Sequence, residues 1–407
     1  MSQPSQTVPG DPAAQRRPQS KGRRASTGVF AGIRVGSIGG VEISLDYSWF
    51  IIFFLILGTF AGVVFPAQAP GVDRFGYLLM GFIGAALFFI SLLIHELAHA
   101  FMAIRRGIGV EGITLFIFGG MARTERDAST PGDEFIIAVV GPLASLALAV
   151  LFYGIAAAGS FGGAPLAVTV VAEYLGFLNV LLVVFNMLPG FPLDGGRILR
   201  AGLWKATGSM RKGTGIAAGI GRALGWGLIG LGIFSLLVGG ALIGGLWLVF
   251  IGWFLGHAAR ASYQQVLLQE MLAPLTAGRT MTPHPETVPP DLPLDDLVQD
   301  YFLQRPFNSF PVTEDDVPLG MVTLGQIKAL PRQEWAGKVT ADVMTPMDRV
   351  VVVDPETPMI DVIRKMQRAE VRRALVARDW ELMGIISNTD LARWIERMAL
   401  VDEQDGR

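Results

Sequence analysis

A polytopic α-helical membrane domain of about six spans, followed by a soluble α/β module made of two similar units, is the architecture this sequence predicts. Three observations carry it. The 407 residues are 51% hydrophobic and only 17% charged, with a mean hydropathy of +0.47, a balance foreign to soluble chains of this size. Apolar runs of bilayer-spanning length recur at about 44–65, 77–104, 134–159, 166–189, 217–238 and 241–258. Beyond about residue 270 no such run remains, and Pro, Asp, Glu and Arg become common.

Residues 1–28 are rich in Pro, Gln, Ser and Arg and too poor in apolar side chains to bury a core, so they read as a disordered tail. No secretory signal follows them. The membrane domain is expected over 29–260, with its last two spans divided at Gly239-Gly240. Basic residues collect in alternate connections. Arg16, Arg17, Lys21, Arg23, Arg24 and Arg34 precede the first span, Arg105, Arg106, Arg123 and Arg126 follow the second, and Arg197, Arg200, Lys205, Arg211 and Lys212 follow the fourth. By the positive-inside rule these connections and both termini are cytoplasmic. A prokaryotic plasma membrane suits this architecture.

A linker is expected at 261–278, then two copies at 279–338 and 339–398, and a short tail at 399–407. Each copy opens on a Met-Thr-Pro step, at Met281 and Met344, and closes on a similar segment, Gly320-Met321-Val322-Thr323 and Gly384-Ile385-Ile386-Ser387. Repeated units of this size pack together to complete one core.

The formal net charge of −2 argues against a nucleic-acid partner. Cys is absent, so thiolate metal sites and disulfides are excluded. Only four His exist: His95, His99, His257 and His284. His95 and His99 lie four apart within the second span, which places both imidazoles on one helix face. With Glu96 between them they form H-E-x-x-H, whose physical content is two zinc ligands and a general base for an activated water. Three ionisable groups at lipid depth are costly unless paired or metal-bound, which weighs against a purely structural reading.

Zinc needs a third protein ligand and an open position. His257 ends the sixth span and His284 lies in a Pro-flanked soluble stretch. The better candidate is Asp194, in the Pro- and Gly-broken run Asn186–Arg197 at the cytoplasmic end of the fourth span. An ordinary helix end is the alternative reading of that run.

With both motifs in hand, the chain resembles the site-2 protease family of intramembrane zinc metalloproteases, in the branch that carries a C-terminal CBS pair (Bateman module). That family joins H-E-x-x-H to N-x-x-P-x-x-x-L-D-G, present here as His95–His99 and Asn186–Gly195. The resemblance implies one zinc ion per chain held by His95, His99 and Asp194, with Glu96 as catalytic acid/base and Asn186 holding the substrate carbonyl or oxyanion. A helix-terminal Asn satisfying backbone groups is the plain alternative. It also implies regulated intramembrane proteolysis of single-span membrane proteins. Leu115–Arg123 resembles the family's short β segment, whose edge would pair with an unwound substrate; a simple hairpin explains it equally well. Gly141–Ser145 in the third span reads as close helix packing.

CBS pairs bind adenine nucleotides in the cleft between copies, and Gly384–Asp390 fits their pattern, with Ser387 and Asp390 as the binding residues. Gln326 stands where the first copy would carry Asp. Ser387 and Asp390 capping a helix, in a module that only mediates a homodimer, is the alternative. Two other functions remain open: a CBS-regulated channel or transporter, whose intramembrane charges line an ion path, and an inactive relative acting as a scaffold. The first leaves the zinc-type spacing unexplained. The second leaves the retention of Glu96 unexplained.

Overall fold

The computed structural model describes residues 32–238 and 242–394. The tail 1–28, the Gly239-Gly240 split and the segment 399–407 lie outside the described residues. The chain divides into two compact units, one holding the residues up to Pro189 together with Leu193–Ala201, the other Gly190–Pro192 and Gly202 onward.

The first unit opens on the hairpin β1 (Gly32–Ile38) and β2 (Val41–Asp46). Helix α1 (Tyr47–Gln68) follows, capped by Asp46, whose carboxylate accepts from Ser48 N at 2.9 Å. Helix α2 (Arg74–Arg105) is capped by Asp73 in the same way. A second hairpin, β3 (Val110–Phe116) and β4 (Gly119–Thr124), leads to α3 (Pro131–Gly162), which starts on Thr130 and ends on left-handed Gly163. Helix α4 (Leu166–Asn186) closes the set, and a turn separates it from α5 (Asp194–Thr207). The four strands form one sheet in the order β1-β2-β3-β4, with β2 and β3 parallel. Its edge β4 is paired only to β3 among the described residues.

In the second unit, α6 (Met210–Leu237) and α7 (Leu242–Leu272) pack as an antiparallel hairpin. Gly225 meets Gly252 and Gly232 meets Gly245 there, so the two backbones lie close. Five described helices are long and apolar enough to cross a membrane: α1, α2, α3, α4 and α6. Their outward faces carry exposed Phe54, Leu79, Val150 and Val184, which a lipid environment requires. The expected sixth span forms the first part of α7. That helix runs unbroken to Leu272 through most of the segment read as a linker, because 261–272 offers helix-forming Gln, Leu and Glu and no Pro before Pro274.

The soluble part has two sheets, β5-β11-β10-β9 and β6-β7-β8. The strands are β5 (Thr282–Pro283), β6 (Ser309–Glu314), β7 (Val317–Thr323), β8 (Thr345–Pro346), β9 (Val352–Val353), β10 (Arg373–Arg378) and β11 (Glu381–Ser387). The Met-Thr-Pro steps cross over. Thr282–Pro283, which opens the first copy, pairs with Gly384 and Ile385 of the second. Thr345–Pro346, which opens the second, pairs with Gly320 and Met321 of the first. One core gathers Val288, Leu294, Leu297, Phe310 and Val322. The other gathers Met359, Val362, Val376 and Ile386, joined by Leu272, Leu275 and Ala277 from the end of α7 and the chain that follows it.

Candidate metal centre

On α2, the residues that face the bundle recur with helical spacing, and His95 and His99 fall on that buried face. Asp194 is the first residue of α5, delivered to the same place because Pro and Gly end α4 and turn the chain. His95 Nε2 lies 3.1 Å from Asp194 Oδ2, His99 Nε2 lies 3.2 Å from it, and the two Nε2 atoms are 3.2 Å apart.

The other ring nitrogens bear on the tautomers. His99 Nδ1 donates to the Ile137 carbonyl at 2.7 Å, and a carbonyl only accepts, so in the neutral ring its Nε2 is a lone pair. His95 Nδ1 lies 2.9 Å from Ser145 Oγ, a hydroxyl that can accept from it and so leave the His95 Nε2 lone pair free as well. In that arrangement both Nε2 lone pairs are directed at each other and at a carboxylate oxygen. Three acceptors meeting at one point repel unless a cation joins them. Tetrahedral zinc with bonds of about 2.0 Å sets its ligand atoms about 3.3 Å apart, so this triangle has the size of one face of a zinc site.

Sequence reasoning took Gly141–Ser145 as packing, and the structure gives the run more to do. A methyl at Gly141 would sit 2.8 Å from His95 Nε2 and nearer still to His99 Nε2, so only Gly leaves the metal position clear. Pro142 interrupts the hydrogen bonds of α3, and the carbonyl of Ile137, one turn upstream, serves His99. Ser145 orients His95. The signal available in sequence was the rare Pro at mid-span with Gly before it.

Glu96, next to His95 on α2, is half-buried against β4. A methyl at Gly120 would approach its Cδ to 2.8 Å and its Oε1 to 3.0 Å. The strand edge therefore runs directly past the carboxylate. Asn186, at the end of α4, donates its amide to the Leu182 carbonyl at 3.0 Å, and among the described residues it makes no hydrogen bond to the triangle. Deeper in the unit, buried Asn179 donates to Leu175 O and lies 3.4 Å from Ser91 Oγ on α2.

In the soluble module Ser387 and Asp390 serve one another. Ser387 N and Oγ donate to Asp390 Oδ2 at 2.9 and 2.6 Å, and Thr282 Oγ1 donates to Oδ1 at 3.2 Å. Gln326 holds the matching position in the first copy, accepting from Thr323 N at 2.7 Å and donating to Thr345 Oγ1 at 2.8 Å. A cleft of about 600 Å³ opens on the Thr323 side, lined by Lys328, Thr345, Arg349, Arg372 and Arg373. Ser387 and Asp390 do not line it. Burial, with Arg372 alongside, pushes the Arg373 guanidinium below its ordinary value.

Residues 83–166 and 162–228 match peptidase family M50, and 277–330 and 339–397 match the CBS domain. Over 367 residues the chain is 36% identical to Rip3 of Mycobacterium tuberculosis, whose name assigns it provisionally to the zinc metalloproteases; the match covers 89% of this chain and 93% of that one. Zinc metalloprotease MJ0392 of Methanocaldococcus jannaschii is 29% identical over 377 residues, 91% of this chain and 98% of its own. A solved site-2 protease from Methanocaldococcus jannaschii is 27% identical with a TM-score of 0.40, covering 57% of this chain and 95% of that one.

Proposed function

The chain belongs to peptidase family M50, the site-2 type of zinc metalloprotease, and on that premise we propose that it hydrolyses a peptide bond within a membrane-spanning helix of a single-span protein. The observation that supports this most is the triangle of acceptor atoms inside a membrane unit, with a carboxylate and a free strand edge beside it.

His95, His99 and Asp194 would hold one zinc ion, which when bound would supply Lewis-acid polarisation of the scissile carbonyl and lower the pKa of a water. Glu96 accepts the proton of the attacking water and returns it to the leaving amine. The β4 edge takes the unwound substrate as an added strand, so its backbone amides find partners once the helix is opened. Asn186 acts on the oxyanion, and to do so its amide leaves the Leu182 carbonyl.

The basic loops set both termini in the cytoplasm of a prokaryotic plasma membrane, with α7 counted as the sixth span. The CBS pair faces that side, mediates a homodimer and binds an adenine nucleotide. The Thr323 cleft, with Arg372 and Arg373, is the favoured seat for its phosphates, because the polar atoms of Ser387 and Asp390 are already engaged.

The test compares wild type with Glu96→Gln in detergent. Both are expected to bind zinc at one per chain, while cleavage of single-span substrates falls by about 10²–10⁴-fold in the variant. Equal cleavage by the two sinks the mechanism. For the module, calorimetry on the whole protein with AMP, ADP and ATP is expected to show binding that Arg372→Ala/Arg373→Ala removes and Ser387→Ala leaves. The reverse pattern moves the seat to Ser387 and Asp390.

A further inference from the structure

Glu134 is the fourth residue of α3, and its side chain is fully buried. Both of its charged partners come from α5: Arg200 Nη2 donates to Glu134 Oε1, and Arg197 Nε does so at 3.4 Å. Glu134 Oε2 has no partner among the described residues. An acidic group so placed is costly unless opposite charges compensate it, and removal of Arg200 leaves only the partly exposed Arg197 to do so.

The position of this cluster gives it a role. Asp194, Arg197 and Arg200 follow one another at intervals of three on α5. On α3, Glu134, Ile137, Gly141 and Ser145 recur at intervals of three, four and four, so they share a face. That face touches both imidazoles of the metal triangle and the helix that carries its carboxylate. Ile137 O and Ser145 orient the two imidazoles, Gly141 leaves the space between them, and Glu134 grips the helix that carries the third ligand. Because a turn precedes Asp194, the backbone of α4 does not carry its direction over into α5.

We infer that Glu134, with Arg197 and Arg200, is a positioning residue: the buried ion cluster sets the rotation of α5 and so holds the Asp194 carboxylate at its metal-binding position against His95 and His99. The inference rests on the zinc reading above and adds to it the device that builds the third ligand into a preformed site. Groups of this kind, which act through a ligand, alter metal affinity by about 10–100-fold.

The experiment measures zinc affinity of the full chain in detergent by competition with a chelator. Glu134→Gln and Arg200→Gln are each compared in the wild-type background and in the Asp194→Ala background. The expected result is at least about tenfold weaker zinc binding in the wild-type background and a change of less than about twofold where Asp194 is already gone. Equal losses in both backgrounds, or none in either, overturn the inference. If a single variant fails to fold, the Glu134→Gln/Arg200→Gln chain removes both buried charges, leaves only the partly exposed Arg197 without its carboxylate, and faces the same two expectations. A wild type that binds no zinc overturns the metal reading as well. A wild type that binds zinc, with indifferent variants, overturns only the positioning role.

Discussion

At position 141 the absence of a side chain matters as much as any ligand. Alanine propagates a helix better than glycine by about 1 kcal/mol, so Gly141→Ala is expected to leave the fold intact. Its methyl stands among the imidazole nitrogens, and zinc affinity is expected to drop by at least about a hundredfold. Metal content alongside the thermal stability of the metal-free protein checks this, and wild-type zinc content would refute it. Ser145→Ala is a milder version: His95 loses the partner that sets its tautomer, and affinity is expected to weaken about tenfold in the same chelator titration. The His pair was legible in the sequence because spacing alone puts i and i+4 together on a helix. Asp194 was legible because few ligands remained and helix breakers marked its run. Gly141, Ile137 and Ser145 were not, since their role depends on which face α3 turns toward α2, and no single-chain pattern encodes that.

The hairpin of β3 and β4 shows what a short element contributes inside a helical unit. Among the described residues its outer edge runs unpaired along β4, and Gly120 brings the backbone against Glu96. Gly120→Ala is expected to displace the carboxylate by a fraction of an ångström and lower kcat by up to about 10²-fold while zinc content stays at one per chain. Single-turnover cleavage with parallel metal analysis separates the two readouts, and a matching loss of zinc would assign the residue to the metal site instead. Apolar runs of bilayer-spanning length made the long helices readable, and the structure places the capping residues Asp46, Asp73 and Thr130 at their starts. The reach of α7 was misread because polar residues after 258 look like a linker until their helix propensity is weighed against the distant Pro274.

At the scale of the whole chain, the soluble tail is one module in two copies that cannot be separated. Each sheet is completed by the Met-Thr-Pro step of the other copy, and Leu275 and Ala277, which open the first, lie in the core of the second. Residues 277–338 expressed alone are therefore expected to remain unfolded by amide exchange and circular dichroism, whereas residues 270–407 fold; an independently folded single copy would contradict the crossed pairing. The duplication was visible in the sequence, but the exchange was not. A strand of two residues such as Thr282–Pro283 carries no periodic signal of its own, and only its partner reveals it.

The crossed strands also constrain the history of the module. Two similar stretches in one gene invite recombination that deletes one of them. Here such a deletion removes an edge strand and core residues from the survivor, so no shortened intermediate is left for selection to keep. The pair holds together as a single unit, and its two copies can carry different side chains at matching positions, as at Gln326 and Asp390, while the paired backbone steps that bind them together stay alike.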